Sequence, residues 1–231
     1  MNLAIFDIDG TLTNTNDVDT ECFVRALSET HGISEINTNW DEYPHTTDSG
    51  IILHIFQEQF GREPGLAELG VFKQWFVDLL QEQVRLNPSL FSEISGAGTA
   101  LGRLRKESNW RVAIASGSWR EAARLKLAAA EIDIDGIPAA YAEDGLSRED
   151  IVSAVMRKSL TYYHQTNFAR VVSVGDGLWD VRTARALQLP FLGIGSEECE
   201  TMLRESGVKQ VIGNFADCDL LIRCLNEATV P

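Results

Sequence analysis

Residues 2–16 read NLAIFDIDGTLTNTN, an apolar run that ends in two aspartates and a Gly-Thr pair. Two chemistries begin this way. A D-x-D triplet opens the calcium loop of an EF-hand, and a carboxylate at the end of a buried strand is a way to present a reactive group. Spacing separates them. The calcium loop needs glycine at its sixth position, glutamate at its twelfth and a helix on each side. Here Gly10 is fourth counting from Asp7, Val18 is twelfth, and the preceding LAIF reads as strand. Calcium fails on all three counts. In an extended segment Asp7 and Asp9 share a face while Ile8 points to the other, and open α/β sheets place their reactive crevice beyond the carboxyl ends of the strands.

Outward from this strand, short apolar runs recur at Arg111–Ala115, Ile137–Tyr141, Arg170–Val174, Pro190–Ile194 and Lys209–Ile212, beside Leu3–Ile8 itself. Most lack alternation, as expected of parallel strands covered on both faces. Helical patterns lie between them, and Ser118 with Glu121 and Ser147 with Asp150 have the spacing of capping boxes. The alternation breaks once: from about residue 14 to about residue 88 only helical patterns occur, too long a stretch for one crossover. The expected fold is α/β, a Rossmann-like parallel sheet with helices on both faces plus an inserted α-helical cap domain. Residues 1–13 and 89–231 would form the core and 14–88 the cap. Phe72, Trp75, Phe76 and Leu79 fall at helical spacing and are expected in the cap's interior. GAGTALG, at 96–102, has the wrong spacing for a dinucleotide fingerprint and reads as a helix entrance.

The 231 residues carry a formal charge of −14, a field that repels nucleic acid and anionic membranes. With no long apolar run and no basic leader, a soluble cytoplasmic protein is expected, as a monomer or weak homodimer. Cys22, Cys199, Cys218 and Cys224 have neither metal-ligand spacing nor disulfide density, and read as reduced thiols.

The other strand ends extend the chemistry. VVSVGDGLWD puts Asp176 directly after a strand and Asp180 one helical turn later. RVAIASGS ends a strand in Ser116 followed by Gly117, a hydroxyl and bare amides suited to an oxyanion. Four carboxylates facing one crevice would take up protons unless a cation held them ionised. Oxygen-only ligands point to Mg²⁺ together with a small phosphate.

In the order LAIFDIDGT, VAIAS, a basic residue and VGDGLWD, the chain resembles the haloacid dehalogenase superfamily over about residues 1–195. The resemblance implies Asp7 as nucleophile and Asp9 as general acid and base. It implies Mg²⁺ held by Asp7, the Asp9 carbonyl, Asp176 and Asp180, with Ser116 and Gly117 on the phosphate. The basic residue of the pattern maps best to Arg148, with Lys126 and Lys158 as alternatives. In the cap, the polar and aromatic loop holding Trp40, Tyr43, His45, Thr46 and Thr47 supplies candidate substrate contacts, His45 and Thr47 foremost. Trp179 and Arg182 are expected to pack and pair beneath the site.

The expected function is therefore Mg²⁺-dependent hydrolysis of a small phosphomonoester, a phosphorylated metabolite, through an aspartyl-phosphate. A dehalogenase has no use for Asp9, Asp176 and Asp180, and a phosphonatase would need a cap lysine where only Lys73 is available. A β-phosphoglucomutase-like phosphotransferase and a non-catalytic phosphate-binding protein of the same fold remain as alternatives.

Overall fold

A computed structural model describes residues 1–106 and 108–231 in full and residue 107 by its backbone. Six parallel strands form one sheet: β1 (Asn2–Phe6), β2 (Trp110–Ala115), β3 (Ala139–Ala140), β4 (Arg170–Gly175), β5 (Phe191–Ile194) and β6 (Gln210–Ile212), in the order β3-β2-β1-β4-β5-β6. The direction of winding reverses between β1 and β4, where a crevice opens at the strands' carboxyl ends. Phe6 stands level with Ile114 of β2 and Val174 of β4, so the three strands deliver their last residues to the same height.

Side chains leave the sheet with period two. Ala4, Phe6, Val112, Ile114, Val172 and Val174 meet α4 (Ala97–Glu107), α5 (Arg120–Ala129) and α9 (Cys218–Glu227) on one face. Leu3, Ile5, Ala113 and Ala115 meet α6 (Arg148–Tyr162), α7 (Leu178–Ala186) and α8 (Glu198–Glu205) on the other. Of the expected strands, Ile137–Tyr141 shrinks to two residues. The Ile137 amide closes a turn onto Ile134, Pro138 has no N–H to give, and the Tyr141 amide goes to the Asp144 carboxylate. GAGTALG opens α4, as read from its spacing.

Between β1 and β2 the chain makes α1 (Asn16–His31), α2 (Asp48–Phe60) and α3 (Leu66–Leu86), with short 3-10 turns at Trp40–Glu42 and Pro88–Phe91. These helices bury a cluster of their own around Phe23, Phe56, Phe72 and Phe76, and Phe23 meets Phe72 edge-on at 5.0 Å. Trp119, from the loop after β2, inserts into this cluster and ties it to the sheet layer. Trp75 departs from expectation. At about 100° per residue, Phe72, Phe76, Leu79 and Leu80 span one narrow stripe and Trp75 falls beyond its edge. It is 43% exposed, and its indole N–H donates to Glu29. Among the described residues, no helix is long and apolar enough to cross a membrane.

Candidate active site

The Asp7 amide adds one last rung to the sheet by donating to the Val174 carbonyl, and the chain then turns away. The Ile8 carbonyl accepts from the amides of Thr11, Leu12 and Thr13, so four residues coil around one oxygen. Gly10 is the residue that lets them do so. Its φ is 72°, and a Cβ there would lie 2.0 Å from an Asp176 oxygen. The glycine of D-x-D-G is thus required by the carboxylate of another strand as well as by the turn.

Asp7, Asp176 and Asp180 converge, each buried and each with a carboxylate oxygen within 4.8 Å of the others. Asp176 is oriented by the Thr11 hydroxyl (2.9 Å) and the Asn16 amide (3.2 Å), and Asp180 accepts from the Gly177 N–H (3.2 Å). Arg148 stands at the first position of α6, beyond a capping box in which Ser147 and Asp150 pair as the sequence predicts. Its Nη1 reaches Asp180 Oδ1 at 2.9 Å and Asp7 Oδ2 at 3.2 Å, its Nε donates to the Thr46 carbonyl, and its Cζ lies 5.5 Å from the centre of the Trp179 ring. Burial works against its charge, but Asp7 and Asp180 outweigh burial and hold the guanidinium charged.

One guanidinium does not neutralise three buried carboxylates. Burial, opposed by Arg148 and reinforced by Asp180, pushes Asp7 up to about 7. Burial and then Asp7 push Asp176 up to about 7, and burial pushes Asp180 to about 6. Asp7 Oδ1 is buried without any hydrogen-bond partner. A shortfall of positive charge, an orphaned carboxylate oxygen and a donor set made of oxygen fit a hard divalent cation.

Asp9 points to a different set of donors. Oδ1 accepts from the Thr15 hydroxyl (2.5 Å), while Oδ2 accepts from Lys126 Nζ (2.7 Å) and the Ser118 hydroxyl (3.1 Å). Lys126 is fully buried, and its other two hydrogens go to Asp19 Oδ1 (2.5 Å) and Ser118 Oγ (2.9 Å). Burial raises the Asp9 carboxyl, but Lys126 and the hydroxyls of Thr15 and Ser118 outweigh it and hold Asp9 below the usual range. Lys158 lies elsewhere, paired with Asp144 and the Ala139 carbonyl.

Two further expectations need correction. Ser118 does not cap α5. Trp119 occupies the N-cap, Asp48 Oδ2 takes the Trp119 N–H (2.8 Å) and Glu143 takes that of Arg120, which frees the Ser118 hydroxyl for Asp9. Neither His45 nor Thr47 lines the cavity. Thr47 is the N-cap of α2, accepting from the Gly50 N–H and donating to the Leu146 carbonyl, and His45 packs back against Gly50. Their neighbour Thr46 does reach the wall.

The cavity measures about 270 Å³. Asp7, Asp9, Gly117, Ser118, Arg148 and Trp179 form its sheet side, and Asn16, Thr20, Phe23, Trp40, Thr46 and Asp48 face them from the helical insertion. Ser116 is buried behind Gly117, and its Oγ accepts from the Ser118 N–H (3.1 Å), which leaves its own hydrogen uncommitted. Gly117 has no room for a side chain, because a Cβ would come within 2.8 Å of both Arg148 and the Thr46 carbonyl. Asp19, Asp48, Asn16, Thr15 and Ser118 were not named as site residues from sequence. Asp19 and Asp48 sit in ordinary first-turn helical positions, and nothing in their spacing marks them.

The sequence matches the family model described as haloacid dehalogenase-like hydrolase over residues 1–188. A search of curated proteins found no match. Among solved structures, a hydrolase from Pseudomonas syringae superposes with a TM-score of 0.72 at 20% identity, covering 98% of this chain and 99% of that one. A phosphonoacetaldehyde hydrolase-like protein from Oleispira antarctica gives 0.64 at 15% identity (98% and 92% covered). CbbY from Rhodobacter sphaeroides, solved with phosphate, gives 0.62 at 17% identity (93% and 95% covered). At these identities the superpositions establish the fold. With the family match across most of its length, the chain belongs to the haloacid dehalogenase-like hydrolases.

Proposed function

We propose that the protein is a Mg²⁺-dependent phosphatase of small phosphomonoesters, working through an aspartyl-phosphate on Asp7, with residues 14–88 as the cap over a core of 1–13 and 89–231. The observation that carries this is the unpartnered Asp7 oxygen, buried at the end of β1 in a cavity whose floor also holds Arg148. Mg²⁺ would be held by Asp7, the Asp9 carbonyl, Asp176 and Asp180, and when bound it supplies charge neutralisation for the phosphoryl oxygens.

The residues of the chain do the rest. An Asp7 oxygen attacks phosphorus, the bond from phosphorus to the ester oxygen breaks, and Asp9, which Lys126 and the Thr15 and Ser118 hydroxyls hold ionised at rest, must first take up a proton from water and then gives it to the departing alkoxide. In the second half Asp9 takes a proton from water as that water attacks the phosphorus, which releases phosphate and restores the Asp7 carboxylate. Ser116 offers its free hydrogen to a phosphoryl oxygen, and the Gly117 amide and the Arg148 fork offer further donors. Hydrolysis is favoured over transfer between substrate positions by the hydrolase family match.

The test is release of inorganic phosphate from a panel of phosphomonoesters, with Mg²⁺ and with chelator. Mg²⁺-dependent turnover is expected, beryllofluoride should trap on Asp7, and Asp7→Asn should lose at least about 10⁴-fold in kcat while melting as a folded protein. No turnover of any ester together with no beryllofluoride adduct would favour a non-catalytic phosphate-binding protein.

A further inference from the structure

The walls of the cavity say more about the substrate than its floor does. Asp7, Asp9, Asp17, Asp19 and Asp48 line it, with Asp176 and Asp180 just behind, and the cations in contact with these seven carboxylates are Arg148 and Lys126. One bound divalent ion would still leave an excess of negative charge before a phosphate dianion arrives. Arg148 is committed to the phosphate end by Asp7 and Asp180. Lys126 is fully buried and spends its three hydrogens on Asp9, Asp19 and Ser118. Among the described residues, no basic side chain other than Arg148 lines the cavity for the part of a substrate that lies beyond the phosphate.

Asp48 is the second observation. It is 6% exposed, and Oδ2 accepts the Trp119 N–H, but Oδ1 has no hydrogen-bond partner among the described residues although the side chain lines the cavity. Burial, then Asp19, pushes this carboxyl up to about 8 against the pull of Lys126, whose hydrogens go to Asp9, Asp19 and Ser118 rather than to Asp48. The cap also contributes aromatic surface to the cavity. Trp40 is held in place by its N–H bond to Thr20 Oγ1 (3.2 Å), and Phe23 continues the wall. An unpartnered carboxylate oxygen and aromatic rings lining one cavity make a setting that attracts an organic ammonium and repels a second anion.

We propose that the ester hydrolysed here carries an ammonium group on its alcohol portion, seated against Asp48, Asp17 and the ring of Trp40. The proposal names the substrate class of the phosphatase reading and rests on it. Hydrolysis cleaves the ester at phosphorus as above, and the ammonium leaves unchanged with the alcohol.

The test compares three esters of similar size: 2-aminoethyl, 2-hydroxyethyl and carboxymethyl phosphate. The expected order of kcat/KM is ammonium over hydroxyl by at least about tenfold, with the carboxylate lowest. Asp48→Asn, which keeps an acceptor for the Trp119 N–H, should shrink the ammonium-to-hydroxyl ratio several-fold. Equal rates, or a preference for the hydroxyl or carboxyl ester, would overturn the proposal and leave the phosphatase reading standing. If no ester turns over, calorimetry with the matching non-hydrolysable phosphonates decides. Tighter binding of 2-aminoethyl phosphonate than of carboxymethyl phosphonate supports the ammonium site without the reaction, and equal or reversed affinity ends it.

Discussion

Lys126 is fully buried and Arg148 largely so, and both are set among carboxylates, but they differ in how completely they satisfy their neighbours. Lys126 is closed off. It has no exposed surface, all three of its hydrogens are used, and burial of the ammonium is outweighed by Asp19 and Asp9, which keep it charged. Arg148 leaves Asp7 Oδ1 without a partner and the Asp7, Asp176 and Asp180 carboxyls well above their ordinary range. Saturation makes a structural pin, and incompleteness makes a place for a ligand. The two sets are joined at residues 7 and 9, the two ends of one D-x-D, so a single turn supplies one carboxylate to each.

The comparison can be broken by removing the cations one at a time. Lys126→Met should strand Asp9, Asp19 and Asp48 around an apolar side chain, destabilising the protein by about 3–5 kcal/mol in urea unfolding. Arg148→Met should cost less stability in the presence of Mg²⁺, because a metal or protons can neutralise the carboxylates it leaves, yet it should cost more activity. Equal losses from the two variants would show that the sets are alike.

A smaller effect separates the two sets by pH. In the folded metal-free protein Asp7 and Asp176 titrate near 7 and Asp180 near 6, against 3.8 ordinarily. Between about 4 and 7 the folded state therefore holds protons that the unfolded chain has lost, and stability falls as pH rises through that window. Asp19 and Asp48, raised to about 6 and about 8, add to the same slope. Mg²⁺ should raise the melting temperature more at pH 8 than at pH 5 by replacing the first set's protons, leaving the slope from Asp19 and Asp48 in place. Asp176→Asn should remove the Mg²⁺ response and keep that residual slope.

The first set was readable in the sequence, while of the second only Asp9 and, as an alternative basic residue, Lys126 were named and their pairing was not, for a physical reason. Asp7, Ser116 and Asp176 stand at the ends of apolar strands, and a sheet with level strand ends brings such residues together whatever else the chain does. Arg148 follows from a capping box that starts its helix. Lys126 and Asp19 meet because the lysine on α5 reaches across the boundary between sheet layer and helical insertion to the first turns of α1, and no spacing along the chain encodes that contact. The same blindness moved Ser118 from a supposed helix cap to a partner of Asp9, since the residue that takes over at the start of α5, Asp48, comes from 71 positions away. It also put Trp75 in the interior, because a stripe read from one helix does not say where its neighbours stop.

The smallest expected effect belongs to a more exposed link between the insertion and the sheet layer, the pair of Arg182 on α7 with Asp41 in the turn at Trp40–Glu42. Its oxygen and nitrogen are 2.9 Å apart, as close as in the buried pairs, but the side chains are 48% and 27% exposed. Water screens the attraction and the arginine loses rotamer freedom to hold the contact, so Arg182→Ala should change stability by less than about 1 kcal/mol, and by less still in 1 M salt. A loss comparable to that of Lys126→Met would mean that distance, rather than burial and saturation of donors, sets the strength of these links, and the contrast between the two buried cations would lose its basis.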